Sequence, residues 1–242
     1  MNNVEEYYND FYKELSKLDE RGNTFSKIET ILPDMNGDEK IIDIGCGHGG
    51  VSHDLIKKGF KVYGVEINND AISSLESKGF KVYKKDITKP LKIDERFDVV
   101  LILDVLEHVF NPHSLLKEAK NITKLGGCCI VTVPLYFDIV DRCKILFTGS
   151  VISMDNHCYG YENYKKFRSY NYDHIRFFRP IDIIEMSKNL GFKIEKIQYG
   201  ATGYSGSCKL LKYLLKVIVN KYTVNLNPNL FAHTMKIRCR VV

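Results

Sequence analysis

Ile41-Ile42-Asp43-Ile44-Gly45-Cys46-Gly47-His48-Gly49-Gly50 is the stretch from which the fold can be read. Its first four residues are apolar and β-branched apart from Asp43, the pattern of a strand buried on both faces. The glycines then turn the chain sharply, and Val51 to Lys58 resumes with helical spacing. Such a turn brings backbone close to a ligand, and the following helix offers free N–H groups at its N-terminus.

Outward from this stretch, strands and helices alternate. Lys61 to Ile67 reads as a second strand, Asp70 to Ser77 as a helix and Phe80 to Lys84 as a third strand. Phe97 to Leu103 is a strongly apolar fourth strand. His113 to Lys124 carries Leu115, Leu116, Ala119 and Ile122 on one helical face. Gly126-Gly127 interrupts it before a fifth strand, Cys128 to Val133, ended by Pro134. Leu135 to Arg179 is irregular and rich in Tyr and Phe. Pro180 to Asn189 reads as a helix capped by Gly191, Phe192 to Tyr199 as a sixth strand and Ala232 to Val242 as a seventh. This alternation predicts an α/β fold with a doubly wound, mostly parallel sheet. Upstream, residues 4 to 32 read as two helices broken at Gly22-Asn23, the first with an aromatic stripe from Tyr7 to Tyr12.

At 242 residues the chain suffices for one sizeable α/β domain with decorations, and 44% hydrophobic with 27% charged residues is ordinary globular composition. A net charge of +5 favours anionic partners without indicating nucleic acid. The seven cysteines never occur as Cys-x-x-Cys, which argues against a disulfide framework or zinc site. Cys128 and Cys129 read as small core residues. No basic region precedes an apolar run at the N-terminus and no apolar run reaches membrane-spanning length, so a cytoplasmic protein is expected.

Asp43 decides between ligands. A pyrophosphate-binding loop gains nothing from a carboxylate two residues before its first glycine, whereas a cationic ligand does; a nicotinamide-dinucleotide oxidoreductase is the alternative. Here the sequence resembles the class I S-adenosylmethionine (SAM)-dependent methyltransferases, whose first motif is an acidic residue followed by Gly-x-Gly. The resemblance covers nearly the whole chain. It implies a Rossmann-like sheet of seven strands with the last antiparallel, and SAM as cofactor with S-adenosylhomocysteine as product. It further implies one methyltransferase domain over 1–242, with residues 1–32 as a helical cap, 33–134 as SAM-binding core, and 135–179 and 200–231 as insertions forming the acceptor pocket.

The cofactor residues follow from strand ends. Asp43, Gly45, Cys46 and Gly47 close the first strand. Glu66, with Ile67, ends the second where an acid accepts from ribose hydroxyls. Asp86 after the third strand either accepts from the adenine amino group, as the resemblance implies, or orders the turn before Pro90, and Ile87 would line the ring.

The fourth strand ends in Leu103-Asp104-Val105-Leu106-Glu107-His108-Val109. Asp104 would reach the cofactor edge facing the acceptor. His108 either begins a helix or acts as general base, since methyl transfer to a hydroxyl needs alignment and proton removal. His174, in His174-Ile175-Arg176-Phe177-Phe178, is a second candidate. That segment is similar to a His-x-Arg-Phe-Phe signature of methyltransferases encoded with bacterial surface-polysaccharide genes. So are Pro134 with Arg142 and Ile145 to Gly149, and Leu230-Phe231-Ala232. This implies a sugar or phosphosugar acceptor for capsule or lipopolysaccharide, methylated at a hydroxyl or phosphorus-linked oxygen.

Around Glu107-His108 the chain also resembles ubiquinone-pathway O-methyltransferases and small-RNA 2′-O-methyltransferases, in which a Glu-x-x-Glu-His motif binds a divalent metal. The alternatives are therefore a metal-assisted enzyme acting on RNA or a quinone-type molecule, or a non-catalytic SAM-binding subunit. No metal is assigned from sequence; Asp104, Glu107, His108 and His174 would be its ligands.

Overall fold

A computed structural model of the chain describes residues 25–148, 174–201 and 217–242, with Tyr213. The expected aromatic helix from Val4 to Leu18 and the aromatic and basic stretch 159–173 lie outside the described residues, as does half of Lys209 to Tyr222, which reads from sequence as a basic amphipathic helix.

Seven strands form one sheet: β1 (Lys40–Ile44), β2 (Lys61–Glu66), β3 (Lys81–Lys84), β4 (Phe97–Leu103), β5 (Thr123–Pro134), β6 (Phe192–Ala201) and β7 (Ala232–Val241). Their spatial order is β3-β2-β1-β4-β5-β7-β6. β1 to β5 pair in parallel, and β7 runs antiparallel to both β5 and β6, as the sequence led us to expect. Strand order reverses between β1 and β4, the switch point beyond whose carboxyl ends open α/β sheets bind ligands.

Successive residues of the central strands fill two cores. Ile42, Ile44, Val100 and Ile102 face one side with Leu115, Leu116 and Ala119 of α3 (Pro112–Ile122) and Ile183 of α5 (Pro180–Asn189). Ile41, Val99 and Leu101 face the other, with Val51 and Leu55 of α1 (Gly50–Lys57) and Leu75 of α2 (Asn69–Ser77). α6 (Thr223–Leu226) and α7 (Pro228–Phe231) are single turns leading into β7.

Three elements differ from the sequence reading. Residues 25–32 are a 3₁₀ turn (Phe25–Lys27) and tight turns rather than the end of a helix. Pro33 disfavours a helical Leu32, and Ile28 and Ile31 are anchored at 0% exposure in the second core. α3 stops at Ile122 because Thr123 turns extended and its hydroxyl donates to the Ala119 carbonyl at 2.7 Å, so β5 starts five residues early. Within the segment read as irregular lies a helix, α4 (Ile139–Thr148). Asp138 caps it, accepting from the N–H groups of Val140 at 2.8 Å and Asp141 at 3.1 Å, while Asp141 accepts from that of Phe137 at 3.3 Å. An acid followed three residues later by another is a start signal that aromatic composition masked.

The turn between β1 and α1 depends on Gly49, at φ +76°. A Cβ there would stand 2.5 Å from Leu75 Cδ2 and 2.9 Å from Phe80 Cζ, both core atoms. Gly59, also left-handed at φ +91°, has open space instead. Gly49→Ala is therefore expected to lose about 2–4 kcal/mol and Gly59→Ala only about 1–2 kcal/mol, read from urea midpoints; equal losses would refute the packing argument.

Candidate active site

The glycine loop is fixed by an acid from the neighbouring strand. Glu66, 3% exposed, accepts from the Gly47 N–H at 3.0 Å with one oxygen. Its other oxygen accepts from the N–H groups of Ile67 at 2.7 Å and Asn68 at 2.9 Å. Asn68, fully buried, in turn caps α2 by accepting from the Ala71 N–H at 2.7 Å. The structure thus brings Gly45, Cys46, Gly47, Glu66 and Ile67 to one strand edge.

Gly64 and Asn68 are members of this arrangement that the sequence reading passed over. A Cβ on Gly64 would lie 2.8 Å from Cys46 Sγ, so the small residue on β2 makes room for the loop's thiol. A glycine inside a strand, between Tyr63 and Val65, was the available signal. Burial and the charges of Asp43 and Glu66 push the Cys46 thiol far up, which leaves it inert.

Asp43 lies beneath the loop rather than at its surface. It is 4% exposed and accepts from the Ser52 hydroxyl of α1 at 2.5 Å. Burial raises its pKa to about 7, against the Ser52 hydrogen bond and with the Glu66 charge. Asp86 turns back on its own loop: it accepts from the Thr88 N–H at 2.9 Å and hydroxyl at 2.6 Å and pairs with Lys89 at 2.9 Å. These contacts order the turn before Pro90. Ile87 stands close to the glycine loop, its Cδ1 3.7 Å from where a Gly45 Cβ would be.

The end of β4 divides its polar residues into two groups. Asp104 adopts a left-handed conformation, φ +54°. Its N–H donates to Thr132 O and Oγ1, both at 3.0 Å, and Thr132 Oγ1 donates to Asp104 Oδ1 at 2.7 Å. Its other oxygen pairs with Lys27. Lys236 of β7 donates to the Lys27 carbonyl, and burial with the Lys27 charge holds its ammonium below the usual lysine range. Asp104 is therefore directed towards β5 and the Lys27 turn.

Glu107, His108 and His174 form the other group, their ligand atoms all within 4.8 Å of one another. The 3₁₀ turn Leu106–His108 presents the first two. The N–H groups of Ile175 and Arg176 donate to the Glu107 carbonyl at 2.9 and 3.1 Å, which docks the His174 segment on this turn. A parallel bridge between Leu135 and Phe178 secures it to the end of β5. The Glu107 carboxylate is 1% exposed, with His108 Nε2 at 3.8 Å and His174 Nε2 at 3.9 Å. The two imidazole centroids are 4.7 Å apart. Tyr136, unmarked in the sequence reading, hydrogen-bonds His174 Nδ1 through its hydroxyl. Of the four residues grouped as potential metal ligands, three converge and Asp104 does not, because its left-handed turn aims it elsewhere. Two imidazoles and one carboxylate are a donor set that suits a divalent transition metal.

The buried Asp43 gives the cofactor-free protein a pH dependence. Between the unfolded value of 3.8 and the folded value of about 7, the native state holds a proton that the unfolded state has released. This stability is present in full below pH 3.8 and is lost as pH rises through about 7. Asp43→Asn, which retains an acceptor for Ser52, is expected to flatten the decline in urea midpoint between pH 5 and 8. An unchanged slope would show that Asp43 is not its source.

Comparison with known proteins adds a family. A family model for the methyltransferase domain matches residues 3–197. A ubiquinone biosynthesis O-methyltransferase of Rickettsia bellii is 27% identical over 177 residues, 71% of this chain and 68% of that protein. An uncharacterised protein of Methanocaldococcus jannaschii is 35% identical over 154 residues, 63% of each chain. Among solved structures, a SAM-dependent methyltransferase of Thermotoga maritima superposes with TM-score 0.62 at 18% identity, covering 100% of both chains. Magnesium protoporphyrin IX methyltransferase of Synechocystis superposes with TM-score 0.59 at 14% identity, over 98% of this chain and 97% of that one. At those identities the structural likeness speaks for the fold, and it is the fold already described. With the family model spanning most of its length, the chain belongs to the methyltransferase domain family and is a SAM-dependent methyltransferase.

Proposed function

We propose that the enzyme methylates an oxygen of a sugar or phosphosugar used in capsule or lipopolysaccharide synthesis, with the pair His108 and His174 taking the acceptor proton. The observation that carries an oxygen acceptor is the placement of both imidazoles over the buried Glu107 carboxylate, beside the cofactor end of β4. SAM, when bound, supplies an electrophilic methyl group, which leaves the chain to align the acceptor and remove its proton. Glu107 would stabilise an imidazolium formed on either ring. Tyr136 at Nδ1 of His174 orients that ring. Asp104, tied to Thr132 and Lys27, positions the end of β4 rather than handling the proton. The sugar acceptor is supported by the segments His174 to Phe178, Pro134 with Arg142, and Leu230 to Ala232.

In the same reading Asp43, Gly45, Cys46, Gly47, Glu66, Ile67, Asp86 and Ile87 line the SAM site. Residues 1–32 cap it, and insertions 135–179 and 200–231 form the acceptor pocket. A SAM ammonium above β1 would draw the proton from Asp43.

A second reading is favoured by the ubiquinone-pathway relative together with the three-donor cluster. It makes the acceptor a quinone-type phenol; Glu107, His108 and His174 would hold a divalent metal, which would supply Lewis-acid polarisation of the hydroxyl.

Transfer of labelled methyl from SAM to phosphosugar, quinone-type phenol and RNA pools tests the acceptor. Label in the phosphosugar pool is expected, and label only in another pool would replace the reading. His108→Ala and His174→Ala should each lower turnover by about 10²–10⁴-fold while sparing SAM affinity in calorimetry; full activity in both would remove them as bases. Asp43→Ala and Glu66→Ala should abolish SAM binding. Wild-type SAM affinity should rise between pH 6 and 8, and a flat profile would detach Asp43 from the cofactor. EDTA should leave turnover intact on the first reading and silence it on the second.

A further inference from the structure

Beyond the carboxyl end of β5 lies a cleft of about 320 Å³. Tyr136, Phe137 and Phe178 give it aromatic walls, and Arg142, Arg179 and Asn229 give it polar ones. Tyr136 joins it to the proposed reaction centre, because the same residue touches His174. A molecule held here would lie beside Tyr136, one residue removed from His174.

The two arginines differ in what neutralises them. Arg179 is engaged by Asp182, at 2.7 Å from Nη2 and 3.2 Å from Nε. Arg142 instead donates from Nε to the Phe137 carbonyl at 2.6 Å and from Nη2 to the Asn229 carbonyl at 3.1 Å. Among the described residues no carboxylate pairs with it. Its neighbours Asp138 and Asp141 are directed into the start of α4, where they accept from backbone N–H groups, and Asp138 also faces His233 at 3.4 Å. Two carbonyls thus fix the guanidinium, and neither cancels its charge. A fixed guanidinium with donors to spare suits an oxyanion, and the aromatic walls beside it suit the faces of a ring.

We infer that the Arg142 cleft is the acceptor's anion subsite: it takes a ring-bearing molecule with a phosphate or carboxylate, the oxyanion on Arg142 and the ring beside Tyr136. This rests on the proposed acceptor site, and it narrows both readings of that site to an anionic acceptor. A phosphosugar and an aromatic carboxylate share the required chemistry.

Binding can be measured without turnover, so failure here is separable from failure of the methylation reading. Calorimetry on the S-adenosylhomocysteine-saturated protein would compare glucose 6-phosphate with glucose and 4-hydroxybenzoate with phenol. Each anion is expected to bind at least about tenfold more tightly than its neutral counterpart. The stronger anion identifies the source. Arg142→Gln keeps a donor for the Phe137 carbonyl and removes the charge; it should erase the preference while S-adenosylhomocysteine affinity stays unchanged. Arg142→Lys should retain part of it. Undetectable binding of both anions, equal binding of anionic and neutral members, or a preference that survives in Arg142→Gln would overturn the assignment.

Discussion

The cofactor end of the sheet depends on one buried carboxylate. Glu66 gathers N–H groups from the β1 glycine loop and from the turn after β2, so two loops that share no sequence are held at a fixed separation. A carboxylate with 3% exposure is tolerable because charge-assisted bonds to backbone amides replace its water. Replacing it by an apolar residue would strand those amides. The consequence reaches Asp43, whose ionisation is opposed first by burial and then by the Glu66 charge. Loop architecture and the protonation of the acid beneath it are therefore coupled.

A second joint assembles the chemistry. The carbonyl of Glu107 receives two N–H groups from the segment that carries His174, while the side chain of the same residue stands under both imidazoles. One residue thus fixes the distance between histidines far apart in the chain. Tyr136, at the end of β5, completes the arrangement from a third element. The Glu107 turn follows β4 and Tyr136 follows β5, while His174 lies on an irregular segment docked to both.

Much of this was legible beforehand. The glycine stretch, Glu66 at the end of β2 and the apolar run of β4 declare themselves because strand periodicity and glycine turns are local properties of the chain. The antiparallel β7 followed from the family resemblance. α4 escaped notice because its aromatic surroundings resemble an irregular insertion, although the Asp138 and Asp141 pair marks its start. Gly64 escaped because its role is to accommodate a thiol from another segment, and Asn68 because its amide serves Glu66 while its side chain caps α2.

By itself, then, the sequence determined a doubly wound α/β sheet, its strand ends and the resemblance to SAM-dependent methyltransferases. These follow from spacing, burial pattern and backbone freedom within short windows. Which polar groups meet at those ends was decided only by tertiary structure. Asp104 and Glu107 stand three residues apart, yet a left-handed turn and Thr132 send one towards Lys27 while a 3₁₀ turn sends the other beneath two histidines. The outcome depends on strand register and on hydrogen bonds across long sequence separations, and no local pattern encodes those.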